Sequence, residues 1–75
     1  MTKSEIEVYY ACMEFCRAFF HLMCVKDELN VHYQLYEPHE RKKLMEMEQR
    51  RTKHYFNDLC EKVDEVRNDR SYLND

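Results

Sequence analysis

A chain of 75 residues holds one domain at most, which excludes any arrangement needing a cofactor-binding domain beside a substrate domain. With no glycine and one proline it lacks the backbone freedom that phosphate-cradling loops and dinucleotide turns require, so nucleotide-loop enzymes are excluded as well. A net charge of −3 is too small to mark a nucleic-acid protein, and 36% charged beside 44% hydrophobic residues, with almost no turn chemistry, leaves long helices as the fold these residues can build.

Thr2 and Glu5 have the spacing of a capping box, which predicts a first helix over about residues 3–36. Wound at about 100° per residue, Lys3, Glu7, Glu14, Arg17, His21 and Glu28 fall on one narrow stripe, with apolar side chains over most of the remaining surface. The apolar arc resolves into two seams. Val8, Cys12, Phe15, Phe19, Leu22, Leu29, Tyr33 and Tyr36 form the first; Tyr9, Met13, Cys16, Phe20 and Met23 form the second, closed by Glu5 at one end and Asp27 at the other. Asp27 and Asn30 are the residues at which a bend would come, but Leu29, Tyr33 and Tyr36 keep their phase across them, so one continuous helix is expected.

The apolar run from Val8 to Val25 has the length of a membrane span, yet Glu14, Arg17 and His21 interrupt it, and inserting Arg or a carboxylate costs about 2.5 to 3.5 kcal/mol each. No membrane association is expected. The N-terminal residues carry acids where a secretory leader carries bases, which points to a cytoplasmic, reducing setting with Cys12, Cys16, Cys24 and Cys60 as free thiols.

Pro38 pushes Glu37 out of helical backbone and suits the first turn of a new helix, so a second helix is predicted over about 38–69, with a frayed tail over 70–75. Its apolar stripe is of ordinary width: Leu44, Met45, Thr52, Tyr55, Phe56, Leu59, Val63 and Val66. One stripe can satisfy one neighbour. The predicted fold is therefore all-α, a hairpin of two long antiparallel helices in which the second helix covers one seam of the first and leaves the other bare. A lone core of this size gives about 3 to 5 kcal/mol, and chains below roughly 80 residues commonly add disulfides, a metal or a partner subunit. Two-fold pairing of the second seam, Tyr9, Met13, Cys16, Phe20 and Met23, into a homodimeric four-helix bundle is the expected remedy.

Chemistry-bearing constellations are few. With the turn near Glu37, Cys60 is expected level with Cys12 and Cys16, and His54 near His21, a thiol and imidazole set that zinc accepts; but the thiols fall on apolar seams and no Cys-x-x-Cys exists, so core filler is favoured and no metal or other cofactor is expected. No Glu-x-x-His supports a carboxylate-bridged metal pair, and no nucleophile with both an evident base and an orienting group can be assembled, so no enzyme is expected.

Charge is uneven along the chain: a basic middle holds six Lys and Arg against three acids from Pro38 to His54, with acid-rich stretches on either side. Lys42, Lys43, Arg50, Lys53 and His54 make a basic face on the second helix, tempered by Glu46, which is spaced for pairing with both Lys42 and Arg50. The function expected from these features is protein binding, as an adaptor or inhibitor of the kind small regulatory phage or bacterial proteins provide. Nucleic-acid binding through phosphate contacts is the main alternative, and a Cys/His metal protein the third.

Overall fold

The computed structural model describes residues 1–74, with residues 69–74 as backbone alone. Helix α1 spans Lys3–Val31, a short 3-10 turn covers Tyr33–Leu35, and helix α2 runs Pro38–Asn74. The two helices lie antiparallel in a rod of 59 × 18 × 13 Å. At about 1.5 Å per residue, α2 alone accounts for most of that length.

The N-terminus of α1 forms where the cap spacing placed it. Thr2 is extended, with φ −75° and ψ 165°, and the Glu5 N–H donates to its hydroxyl oxygen at 3.2 Å. The C-terminus corrects the expectation of continuity to Tyr36. His32 leaves helical backbone at φ −109° and ψ 38°, its N–H still bonded to the Glu28 carbonyl, and the chain then tightens into the 3-10 turn. Pro38 holds only Glu37 out of helix, and the residues between His32 and Glu37 are taken up by the reversal itself. Tyr33 is spent on this turn. The Arg41 guanidinium lies 3.8 Å from its ring centroid and donates to the carbonyls of Tyr33 and Tyr36.

Arg41 from α2 thus satisfies carbonyls that α1 cannot, since the last turn of α1 contains no basic residue. Charge-assisted hydrogen bonds contribute about 1.5 to 3 kcal/mol, and part of this is lost to solvent at a half-buried site. Arg41→Ala is expected to lower the urea-unfolding free energy by about 1 to 2 kcal/mol; an unchanged midpoint would remove the guanidinium from the account of the turn.

Helix α2 continues to Asn74 where a frayed tail over 70–75 was expected, and Asp75 lies outside the described residues. After Pro38 the chain offers neither proline nor glycine to stop the helix.

The seam between the helices is built from small residues. Ala11, Ala18 and Leu29 are buried on α1, flanked by half-buried Val8, Phe15, Leu22 and Val25; Thr52 is buried on α2, flanked by Met45, Tyr55, Leu59, Val63 and Val66. Ala18 is fully covered, at 0% exposure, and the single Thr52 hydroxyl proton is directed to the Glu48 carbonyl at 2.8 Å, with the Ala18 carbonyl at 3.4 Å as the weaker branch. The expected first seam is thereby corrected: Cys12 and Phe19 are exposed, because α2 docks over the two alanines, whose lack of side-chain bulk permits the closest approach.

Cross-helix contacts fix the register. Glu7 faces Lys62 at 3.8 Å, Phe15 lies 5.6 Å from Phe56 between ring centroids, and the His21 Nδ1 meets a Glu48 carboxylate oxygen at 2.7 Å. The reversal is therefore centred near residue 35, not at Glu37, and each residue of α1 meets a residue about one turn earlier in α2 than the sequence suggested.

Candidate functional site

Helix geometry gives each helix an inner and an outer face. On α1, Ala11, Ala18 and Val25 recur every seventh residue against α2, and Tyr9, Met13, Cys16, Phe20 and Met23 fall on the opposite side. All five are exposed, Phe20 at 71%, Tyr9 at 58%, Met23 at 48% and Met13 at 36%. Ile6, at 41% exposure, extends this seam by one turn, and Tyr10 and Phe19 flank it. Sequence reasoning passed over Ile6, although its spacing of seven from Met13 and fourteen from Phe20 carried the signal.

Contiguous exposure of this many large apolar groups on one helix makes this face a candidate interaction surface. By length and composition alone α1 could cross a membrane, with a mean hydropathy of 1.2 over an 18-residue stretch of which 11% is buried. Against that, Glu14, Arg17 and His21 keep a polar stripe along it. Glu14 pairs with Arg17 at 3.7 Å, and His21 joins it to α2 through Glu48.

Helix α2 presents the other candidate surface. Lys43 and Arg50 point directly away from Met45 and Thr52, with Lys42, Lys53 and His54 beside them, and all five basic residues are exposed. The expected pairing of Glu46 with Lys42 and Arg50 does not form: among the described residues no ion pair involves Lys42, Lys43, Arg50 or Lys53. The positive charge of this face is therefore not neutralised by ion pairs among the described residues. His54 makes an edge contact with Tyr55, ring centroids 5.5 Å apart.

The thiols are not drawn together as the sequence suggested. All four are exposed and free, and the one-turn change of register sets Cys60 level with Tyr10 and away from Cys16, with Glu48 in place of His54 opposite His21. Among the described residues no group of three His, Cys, Asp or Glu side chains is placed to hold a metal ion. Cys12 and Cys16 alone are neighbours, and the Cys16 thiol is pushed above its usual range, first by lost hydration and then by the charge and hydrogen bond of Cys12. A shallow groove at the open end of the hairpin, between Val8, Tyr9, Cys12, Val63 and Val66, adjoins the apolar face of α1.

Comparisons with known protein families, with curated proteins and with solved structures find no match.

Proposed function

We propose that this protein is a small, non-enzymatic interaction module of the cytoplasm. It pairs with itself through the outer face of α1, setting four helices side by side instead of around one shared core, and binds a protein partner through the basic face of α2, as an adaptor or inhibitor. The observation that carries this reading is the division of labour between opposite sides of one narrow rod: Tyr9, Met13, Cys16, Phe20 and Met23 exposed on one, and the cations Lys42, Lys43, Arg50 and Lys53, free of ion pairs among the described residues, on the other. An apolar face supplies the driving force for assembly, and a charged face supplies steering and selectivity toward an acidic partner.

An affinity pull-down comparing wild type with Lys43→Glu plus Arg50→Glu tests the second half. A protein band captured by wild type and lost by the variant, with dimerisation unchanged, is the expected result. Identical capture by both would count against the basic face.

The unpaired charge on α2 also favours a second reading, nucleic-acid binding through phosphate contacts. Its signature is a steep fall of affinity with salt, at about 0.9 counterions released per phosphate contacted on duplex DNA, whichever sequence is used. A duplex titration across a salt series separates the two, since only the phosphate reading gives that slope.

A further inference from the structure

The outer seam of α1 has an internal order that selects its partner and that partner's direction. Ile6, Met13, Phe20 and Asp27 recur every seventh residue, and Tyr9, Cys16 and Met23 do the same between them, the spacing of a coiled-coil seam. Two copies of α1 laid antiparallel with residue numbers totalling about 29 at each level bring every apolar member against another: Ile6 against Met23, Tyr9 against Phe20, Met13 against Cys16 of the second copy, each twice.

The polar residues that end the seam then also find partners. Asp27 arrives beside Thr2 of the second copy, the N-cap of that copy's α1, where the positive helix end attracts a carboxylate. Glu5 and Lys26, on one flank, meet as opposite charges, and Tyr10 and Arg17, on the other flank, meet as ring and cation. All of these side chains are exposed or half-buried in the single hairpin. A parallel, in-register pair offers none of this, because Asp27 would face Asp27 within the seam.

We infer that the occupant of the outer α1 face is a second copy of this chain, packed antiparallel about a two-fold axis near Glu14, with Ile6 against Met23 and Glu5 against Lys26 of the other copy. The two α1 helices then form the middle of the assembly, and the two α2 helices form its outside. The inference rests on the reading of this face as a self-association surface and adds its direction and register.

The native thiols test it. At about 1.5 Å per residue, the two Cys16 would be about 4 to 5 Å apart along the axis, the two Cys12 about 7 to 8 Å and the two Cys24 about 28 Å. In variants retaining one cysteine each, a short bismaleimide is expected to join Cys12 or Cys16 to its mate at least about tenfold faster than Cys24. A charge exchange gives the second measurement. Lys26→Glu and Glu5→Lys each weaken self-association, and mixing the two variants restores it, because only an antiparallel pair sets residue 5 of one against residue 26 of the other. A dimer in which Cys24 cross-links as fast as Cys16, or in which mixing restores nothing, overturns the direction and leaves self-association standing. A monomer at all concentrations, whether free or bound to lipid vesicles, overturns both.

Discussion

On the proposed self-association, the wild type is expected to sediment as a dimer and Phe20→Glu as a monomer at the same concentration, the variant melting at a lower temperature because it lacks the stabilisation that association would lend. Phe20 is 71% exposed and lies on the side of α1 opposite Ala11 and Ala18, so its loss is expected to leave the seam of the hairpin itself intact. In a two-fold pair the ring is lost twice, and burying a side chain of this size contributes about 1.5 to 3 kcal/mol, so the dissociation constant should rise by roughly 100- to 10,000-fold. Glu14→Lys changes the adjoining polar stripe, where the side chain faces water and Arg17, and should leave association as it is. Equal sedimentation of wild type and Phe20→Glu would remove the basis for reading α1 as an assembly surface.

The second large effect belongs to the hairpin. Ala18→Leu places three more carbons at a position with no free space, under the carbonyl that accepts from Thr52. Overpacking of this kind costs about 1 to 3 kcal/mol, against the roughly 3 to 5 kcal/mol a lone core of this size supplies. The melting temperature followed by circular dichroism should fall by about 5 to 20 °C, taking about 4 to 8 °C per kcal/mol for a chain this short. A variant melting with the wild type would mean that the helices are not held at the close approach the alanines allow.

The different fates of Ala18 and Phe20 show how much of this molecule could be read from its residues. Helical periodicity separated a covered from an uncovered side of α1, and the seam expected to stay bare, from Tyr9 to Met23, is the one the fold leaves exposed. Pro38 and the cap at Thr2 marked their helix starts because each acts within one turn of chain. What escaped was whatever depends on the other helix. Periodicity weights large apolar residues, so it favoured Cys12 and Phe19 over Ala11 and Ala18, whereas helix docking is decided by where the backbones can approach most closely.

Register escaped for a related reason. The chain leaves α1 at His32 for a turn whose carbonyls an arginine reaches back from the second helix to take, and neither the 3-10 turn nor the Arg41 contacts has a periodic signature in the sequence. That single turn of displacement separated Cys60 from Cys16 and put Glu48 where His54 had been expected, removing the thiol and imidazole set from the candidate site. On the basic face, Glu46 has the spacing to pair with Lys42 and Arg50, but exposed pairs of that kind gain only about 0.3 to 0.5 kcal/mol, so spacing alone does not decide which of them form: Glu14–Arg17 and Asp64–Arg67 do, and those of Glu46 do not.

Placing the apolar and cationic surfaces on opposite sides of a rod only 13 to 18 Å across has a consequence for how a target is held. A dimer joined through α1 carries its two cationic surfaces back to back, so one flat target can engage only one of them. A polyanion that wraps around, or two separate targets, can engage both, and the second contact is then made at the high effective concentration set by the first. Binding would therefore show avidity toward flexible or clustered acidic partners and single-site affinity toward compact ones, and a monomeric variant would lose the first while keeping the second.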